Sequence, residues 1–287
     1  MSKKFFKGSI AFFCVIVICQ YFVFVQNHYA NPANESDKKV VTGQKVIHLF
    51  NSKNLDGWYT YVRSKGKGND PNKIFSVEDG LIHVAGVEHG CITTNDSYEN
   101  YVLEVEYKVG EHSYGTRKNK AFDSGILIHS NGKDGAYGNV WMKSIEIQVI
   151  EGGTGDFYVV SPNKDDNFSL TSTVDPKYYN AQSGGGVFLL GGIETTVFTP
   201  ANPVRRQGVE PQKTDIARFR NKNEIEKPHG EWNVVKIVAQ EDKIDVYLNG
   251  QLVNQAKNVK PQKGQIQIQS EGAEFFYKRI DLMPLDK

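Results

Sequence analysis

The chain has 287 residues, with 34 Lys and Arg against 33 Asp and Glu and a net charge of +1. That balance excludes a protein held on nucleic acid by a basic phosphate-binding surface. With 16 Phe, 14 Tyr and 27 Gly, the composition favours strands joined by turns over a helical bundle, in one large β domain or two small ones.

At the N-terminus, Lys3, Lys4 and Lys7 precede an apolar run from Ile10 to Val25 that only Gln20 interrupts, the charged and apolar regions of an export signal. The run is long for a signal peptide and near the lower limit for a membrane span. No small-x-small cleavage site follows, because His28 stands at the position matching Ala30, and Ile18 precedes Cys19 where a lipoprotein signal takes a small residue. Residues 1–30 therefore read as a signal peptide or membrane anchor, 31–44 as a polar linker, and 45–287 as the exported body. The expected location is periplasmic, or anchored and facing the exterior, with N-terminal membrane contact if the signal is kept. Cys14 and Cys19 fall in the leader, so Cys91 is alone in the body, without an intrachain disulfide, and reads as a small core residue and not a nucleophile.

In the body, KVIHLF reads as a first strand, Asp56-Gly57 as a turn before Trp58 and Tyr59, and Glu78-Asp79-Gly80 as a hairpin turn between two short apolar runs. In YVLEVEYKV, Leu103, Val105 and Tyr107 alternate with Glu104, Glu106 and Lys108; the charged side is a solvated face by default, and Glu106 joins a site only if this strand neighbours the next pair. That pair is the centre of the sequence. In DSGILIHSN, Ile126 and Ile128 face one way while Asp123, Gly125, Leu127 and His129 face the other; in SIEIQVIEG, Ile145, Ile147 and Val149 oppose Glu146 and Gln148. A loop carrying Tyr137 and Trp141 joins them. If the two strands share a sheet, His129, Glu146 and Gln148 line one polar surface with aromatics at its rim.

From 161 to 230 the pattern dissolves into a Pro- and Gly-rich insertion, either loosely packed or, as VFLL and its aromatics suggest, packed as a wall over a site. Four strands follow: WNVVKIVAQ, KIDVYLNGQLV with an Asn249-Gly250 turn, GQIQIQS and EFFYKRIDL. Gln265, Gln267 and Gln269 alternate with Ile266 and Ile268, a polar ladder suited to a hydroxyl-rich ligand. Many short strands without amphipathic helices or crossovers predict an all-β antiparallel sandwich or jelly roll.

No GxSxG, HExxH, CxxC or P-loop motif is present, and no cofactor signature is evident. Ordinary glycoside hydrolysis needs two spaced carboxyl groups. In Glu146-Ile-Gln148-Val-Ile-Glu151 the middle position, a carboxylate in many jelly-roll glucanases, is an amide. Proton abstraction next to a carbonyl needs one base and an enolate stabiliser, and His129 and Glu146 are the candidate bases. The same two residues are also a candidate ligand pair for a divalent metal.

The segments LFNSKNLDGWY, FSVEDGLIHVAG, YENYVLEVEYKV, FDSGILIHSN, IEIQVIEGGTGDFY, KPHGEWNVVKI, VYLNGQLV and GQIQIQSEGAEFFYKRIDLMPL together resemble the 3-keto-disaccharide hydrolase family over roughly residues 46–285. The resemblance implies a concanavalin A-like jelly roll of two antiparallel sheets whose concave face binds sugar. It also implies cleavage of 3-keto-glycosides by C2 proton abstraction, elimination at C1 and hydration, with an oligosaccharide or glycoside as substrate. On that reading Glu146 and His129 are base or metal ligands; Gln148, Glu106, Gln269 and Lys278 hold the sugar, with Trp141 and Tyr137 stacking on it; and Asp123, Glu151, Asp156 and Glu271 are further polar candidates. The chain departs from the family at Lys278, where Arg is frequent, and at His129, where an aromatic residue or Arg is frequent. The alternative is a non-catalytic, lectin-like carbohydrate-binding module.

Overall fold

The structure is a computed structural model that describes residues 45–164, 166–179, 184–208, 215–220 and 222–286. The leader and linker expected at 1–44 lie outside the described residues. Two sheets sharing one core form the all-β sandwich that the sequence predicts. The nine-stranded sheet runs edge to edge through Gly186–Val187, Val204–Arg205, Phe157–Val160, Lys143–Ile150, Asp123–Asn131, Gln265–Ser270, Gly90–Thr94, Trp58–Val62 and Gly66–Lys67. The ten-stranded sheet runs through Ile193–Val197, Ser169–Val174, Gln251–Lys260, Lys243–Leu248, Asn233–Gln240, Tyr101–Ser113, Ala273–Pro284, Leu81–Val84 and Phe75–Glu78, with Ile47–His48 paired to Ala273–Pro284. Pairing is antiparallel except where Gly186–Val187 meets Val204–Arg205. The anticipated turns form: Asp79 and Gly80 have φ of 51° and 76°, and Asn249 and Gly250 have φ of 49° and 84°, the left-handed pair that a two-residue hairpin requires.

The inner faces supply the core. Ile126, Ile128, Ile145, Ile147, Val149 and Ile268 of the nine-stranded sheet belong to one buried cluster with Leu103, Val105, Tyr107, Val235, Ile237, Phe275 and Tyr277 of the other. Along Tyr101–Ser113, buried and half-buried residues alternate, leaving Glu104 and Glu106 on a solvated outer face. The central strands of the nine-stranded sheet differ. Asp123–Asn131 and Lys143–Ile150 are buried on both faces along almost their whole length. Their outer face is covered around a small cluster of Cys91, Leu127, Val140 and Trp141, with Tyr61 and Tyr137 packed against it.

The covering loop is pinned at several points. Tyr137 N–H donates to Trp141 O at 2.9 Å and Trp141 N–H to Tyr137 O at 3.0 Å. Met142 N–H donates to Gln267 Oε1 at 3.1 Å, and the Tyr59 hydroxyl to Asp134 at 2.7 Å.

Among its described residues, the segment at 161–230 includes strands of both sheets. It contributes Ser169–Val174 and Ile193–Val197 to one sheet and Gly186–Val187 and Val204–Arg205 to the other, so it lengthens both. Its weak sequence pattern follows from strands as short as two residues, too short to show alternation. Buried Arg206 ties it in, donating its backbone N–H to Asp156 at 2.7 Å and pairing its guanidinium with Glu224.

Ile147 stands in the middle of this core, fully buried. Ile147→Ala should lower unfolding free energy by about 2–5 kcal/mol, while Lys263→Ala at an exposed position should stay within about 0.5 kcal/mol. Urea denaturation measures both, and equal effects would refute the packing described.

Candidate active site

The site is built on the outer face of the nine-stranded sheet, where three strands meet. Register sets Glu146 opposite Leu127 and Gln148 opposite Gly125, with Gln267 on the other side of Leu127. Ser144, Glu146 and Gln148 share a face by alternation, as do Asp123, Gly125 and Leu127. Gly125 makes the space. A Cβ there would lie 2.3 Å from Gln269 Oε1 and 2.4 Å from Glu146 Oε1, so both side chains lean over the bare backbone. Glu146 Oε1, Gln269 Oε1, Asp123 Oδ1 and Ser144 Oγ are all buried without a hydrogen-bond partner. Leaving such a group unsatisfied costs about 1–3 kcal/mol. Of these, Glu146 Oε1 and Gln269 Oε1 meet over Gly125, two buried acceptors that a ligand's hydroxyl groups could satisfy.

Two carboxyl groups dominate its electrostatics. Burial, reinforced by the charge of Glu271 and partly offset by Gln269, pushes Glu146 well above the usual carboxylate range. Burial raises Glu271 to about 7, with the positive charges of Arg117 and Arg63 acting the other way. Two carboxyls that feel each other out of water cannot both ionise cheaply. Both carboxyls are thereby held above the usual carboxylate range, Glu146 by burial and the charge of Glu271, Glu271 by burial against the pull of the two guanidinium groups. Arg117 comes from a short 3-10 turn, Gly115–Arg117. It pairs with Asp123 and, at 3.0 Å, with Asp215. Its stem lies against Gly272, where a Cβ would sit 3.0 Å from Arg117 Cγ.

Aromatics frame the hollow. Tyr158 is paired with Glu146 in the neighbouring strand. Burial and then the charges of Glu146 and Glu271 raise the Tyr137 hydroxyl. Tyr137 is stacked on Trp141 at 6.4 Å, and His89, its pKa lowered chiefly by burial, lies 6.1 Å from Trp141.

Of the residues expected in the site, the structure brings together Glu146, Gln148, Gln269, Asp123 and Glu271, with Tyr137 and Trp141 beside them. Trp141 is only 7% exposed and donates to Gly90 O at 3.4 Å, so it is largely the floor of the covering loop, while half-buried Tyr137 offers more surface. Gln148 accepts from Val149 N–H at 3.0 Å. The glutamine ladder divides: Gln267 is consumed in holding Thr93 and the Met142 amide, and Gln269 alone leans toward Glu146. Cys91 is buried as expected, its thiol pushed up to about 12 by desolvation.

His129 is not in the site. Strand register breaks between Ile128 and Asn131, and His129 has φ of 52°, so a bulge takes it out of the alternation that sequence period assigned. Its ring turns edge-on to the core residue Tyr101 at 6.1 Å, and its Nδ1–H donates to Pro261 O at 2.8 Å. Burial lowers its pKa to about 4, and it shares no surface with Glu146 as a base or as a fellow metal ligand. Glu106 and Lys278 are together, 3.4 Å apart, but on the outer face of the ten-stranded sheet. Glu151 clamps a turn, accepting from Phe122 N–H at 3.1 Å, Arg218 N–H at 2.8 Å and His229 Nδ1–H at 2.7 Å. Asp156 is committed to Arg205 and Arg206. Among the described residues no group of three or more His, Cys, Asp or Glu is arranged to hold a metal ion.

Sequence reasoning missed Arg117, Arg63, Ser144 and Tyr158. Arg117 sits in YGTRKNK, which has no strand period. Tyr158 did leave a signal, since the Gly152-Gly153 turn folds FYVV back antiparallel onto the Glu146 strand.

A family model described as "3-keto-alpha-glucoside-1,2-lyase-like domain" matches residues 45–283. Comparison with curated proteins gave no match. Among solved structures, a candidate glycosyl hydrolase from Parabacteroides distasonis is similar at 19% identity and a TM-score of 0.49, covering 84% of this chain and 94% of its own. A β-glucanase from Bacillus licheniformis is similar at 14% identity and a TM-score of 0.43, covering 85% and 100%. The carbohydrate-binding module CBM66 from Bacillus subtilis is similar at 12% identity and a TM-score of 0.39, covering 78% and 94%.

The raised Glu271 carboxyl links the site to stability. Below about 4.5 it is protonated folded or unfolded; from there to about 7 only the folded chain keeps the proton, so stability falls as pH rises through that window. Glu271→Gln removes this loss. Its melting temperature should match wild type below the window and exceed it increasingly up to the upper end, as followed by calorimetry. A constant difference across the series would refute the shifted carboxyl.

Proposed function

The chain belongs to the 3-keto-alpha-glucoside-1,2-lyase-like family, and from that premise we propose that it is an exported enzyme cleaving 3-keto-glycosides by elimination and hydration. The observation that carries the proposal is the buried Glu146 carboxyl leaning with Gln269 over the bare backbone of Gly125, close enough to Glu271 for the charge of one to raise the other. A ketone at C3 acidifies the C2 proton. The Glu271 carboxylate removes it, and the C2–H electron pair enters the C2–C3 bond as the C3 oxygen takes negative charge. When that enolate collapses, the C3 carbonyl re-forms, a C1–C2 double bond appears and the C1–O bond breaks. Protonated Glu146 gives its proton to the departing oxygen. Release at this stage is a lyase reaction; addition of water, hydroxyl at C1 and hydrogen at C2, completes hydrolysis.

One ionised and one protonated carboxyl supply base and acid together. The fixed positive charge of Arg117 favours the developing oxyanion. Asp123, Ser144, Gln148 and Gln269 have the acceptors and donors for sugar hydroxyls, and Tyr137 a ring for a sugar face. Ionisation of Glu271 at about 7 sets the rising limb of the pH–rate profile.

The test follows aglycone release and C2 deuterium exchange with a 3-keto-glucoside and its unoxidised parent. Release from the keto substrate alone is expected. Glu271→Gln should lose about 10²–10⁴-fold in kcat along with C2 exchange. Glu146→Gln should keep exchange and lose release, and Gly125→Ala should lower kcat by displacing both side chains. Equal cleavage of the parent sugar would sink the elimination route. Sugar binding with no turnover would leave a carbohydrate-binding module.

A further inference from the structure

The strand order gives the site a direction. Gln265–Ser270 and Lys143–Ile150 flank Asp123–Asn131, so Gln269 and Glu146 close on Gly125 from its two sides. Glu271 follows Gln269 by two positions, at the end of its strand. Beyond Glu146 the sheet continues into Phe157–Val160, where Tyr158 is the register partner of Glu146. Residues paired in this way put their side chains on one face, with Cβ atoms about 4.5–5.5 Å apart. Glu271, Gly125, Glu146 and Tyr158 thus follow one another across four adjacent strands of the outer face.

Tyr158 has the chemistry of a free donor. Phe157 and Val159 on either side of it belong to the core, so alternation turns Tyr158 outward. Its ring is half-buried, and among the described residues no hydrogen bond engages its hydroxyl. The preceding Asp156 is taken by Arg205 Nη1 at 3.1 Å and Arg206 N–H at 2.7 Å. Burial and then the charge of Asp156 keep the proton on the Tyr158 hydroxyl against the pull of Arg205, and Glu146 and Glu271 add to the effect. The hydroxyl is therefore neutral, able to donate, and within electrostatic reach of both site carboxyls.

Resting on the glycoside-cleaving reading, this row sets which way the substrate runs. C2 lies at the base, Glu271, and the departing oxygen on C1 lies at the acid, Glu146. The direction from C2 to C1 leads from the Gln269 strand toward Phe157–Val160, and the group leaving C1 continues along it. We propose that Tyr158 is the specificity-determining residue on the leaving-group side, its hydroxyl donating a hydrogen bond to a hydroxyl-bearing leaving group. A second sugar offers that acceptor and an alkyl group does not. A site built to hydrogen-bond a substrate hydroxyl discriminates against the analogue that lacks it.

The test compares 3-keto-trehalose with methyl 3-keto-α-glucoside on the full-length protein and on Tyr158→Phe, which removes only an unbonded hydroxyl. Wild type should favour 3-keto-trehalose in kcat/KM. Tyr158→Phe should cut that preference about three- to tenfold, the worth of one hydrogen bond, through KM. A merely structural role lowers both substrates alike and leaves the ratio where it was. If wild type cleaves neither, the elimination reading fails and isothermal titration with trehalose and methyl α-glucoside decides. Trehalose binding that weakens relative to methyl α-glucoside in Tyr158→Phe then supports the subsite on its own. An unchanged ratio, in turnover or in its absence in binding, overturns the assignment, as does failure of an inactive wild type to bind either sugar.

Discussion

Two carboxyl groups that cannot both ionise set the terms for the outer face of the nine-stranded sheet. Burial raises both Glu146 and Glu271, and for Glu146 the charge of Glu271 adds to it; Glu146 is kept from solvent because its strand is covered on both sides. An antiparallel sheet ordinarily leaves one face wet. The ten-stranded sheet does so, and its Glu104 and Glu106 pair across the surface with Arg279. The nine-stranded sheet instead carries the loop that ends in Tyr137 and Trp141, seated on Cys91 and Leu127. The loop removes water, and water removed is what moves the protons.

That arrangement works against stability. Buried acceptors at Glu146, Gln269 and Asp123 lack partners, and each such group costs about 1–3 kcal/mol. The compensation lies on the other side of the same strands, where Ile145, Ile147 and Val149 fill the core, each side chain contributing about 1.5–3 kcal/mol on burial. The two-residue period of one strand thus divides labour: odd positions hold the fold and even positions hold the chemistry.

This division is also why much was legible in the sequence. Period two identified the strands and the polar face of Glu146 and Gln148, and Asp79-Gly80 and Asn249-Gly250 announced their turns. The failures have a common physical origin in what period two cannot see. A bulge after Ile128 carries His129 into the core, and alternation read straight through it gives the opposite face. Neither partner sheet nor neighbour is encoded in a single strand, so Glu106 and Lys278, correctly read as polar, belong to the wrong surface for the site. Gln267 looked like a twin of Gln269, yet two residues along the same strand one amide fastens a loop and the other leans over Gly125.

Arg117 shows how the segment that resisted reading reaches the chemistry. Its guanidinium lies between Asp123, at the head of a site strand, and Asp215, at the start of a short described stretch of the insertion. Ala217 N–H donates to Asn119 O at 3.2 Å, fastening the same two segments by backbone. The charge held there is one of two that pull the Glu271 proton toward release. Among the described residues the insertion thus reaches the site through the turn that holds Arg117, by an ion pair and a backbone hydrogen bond.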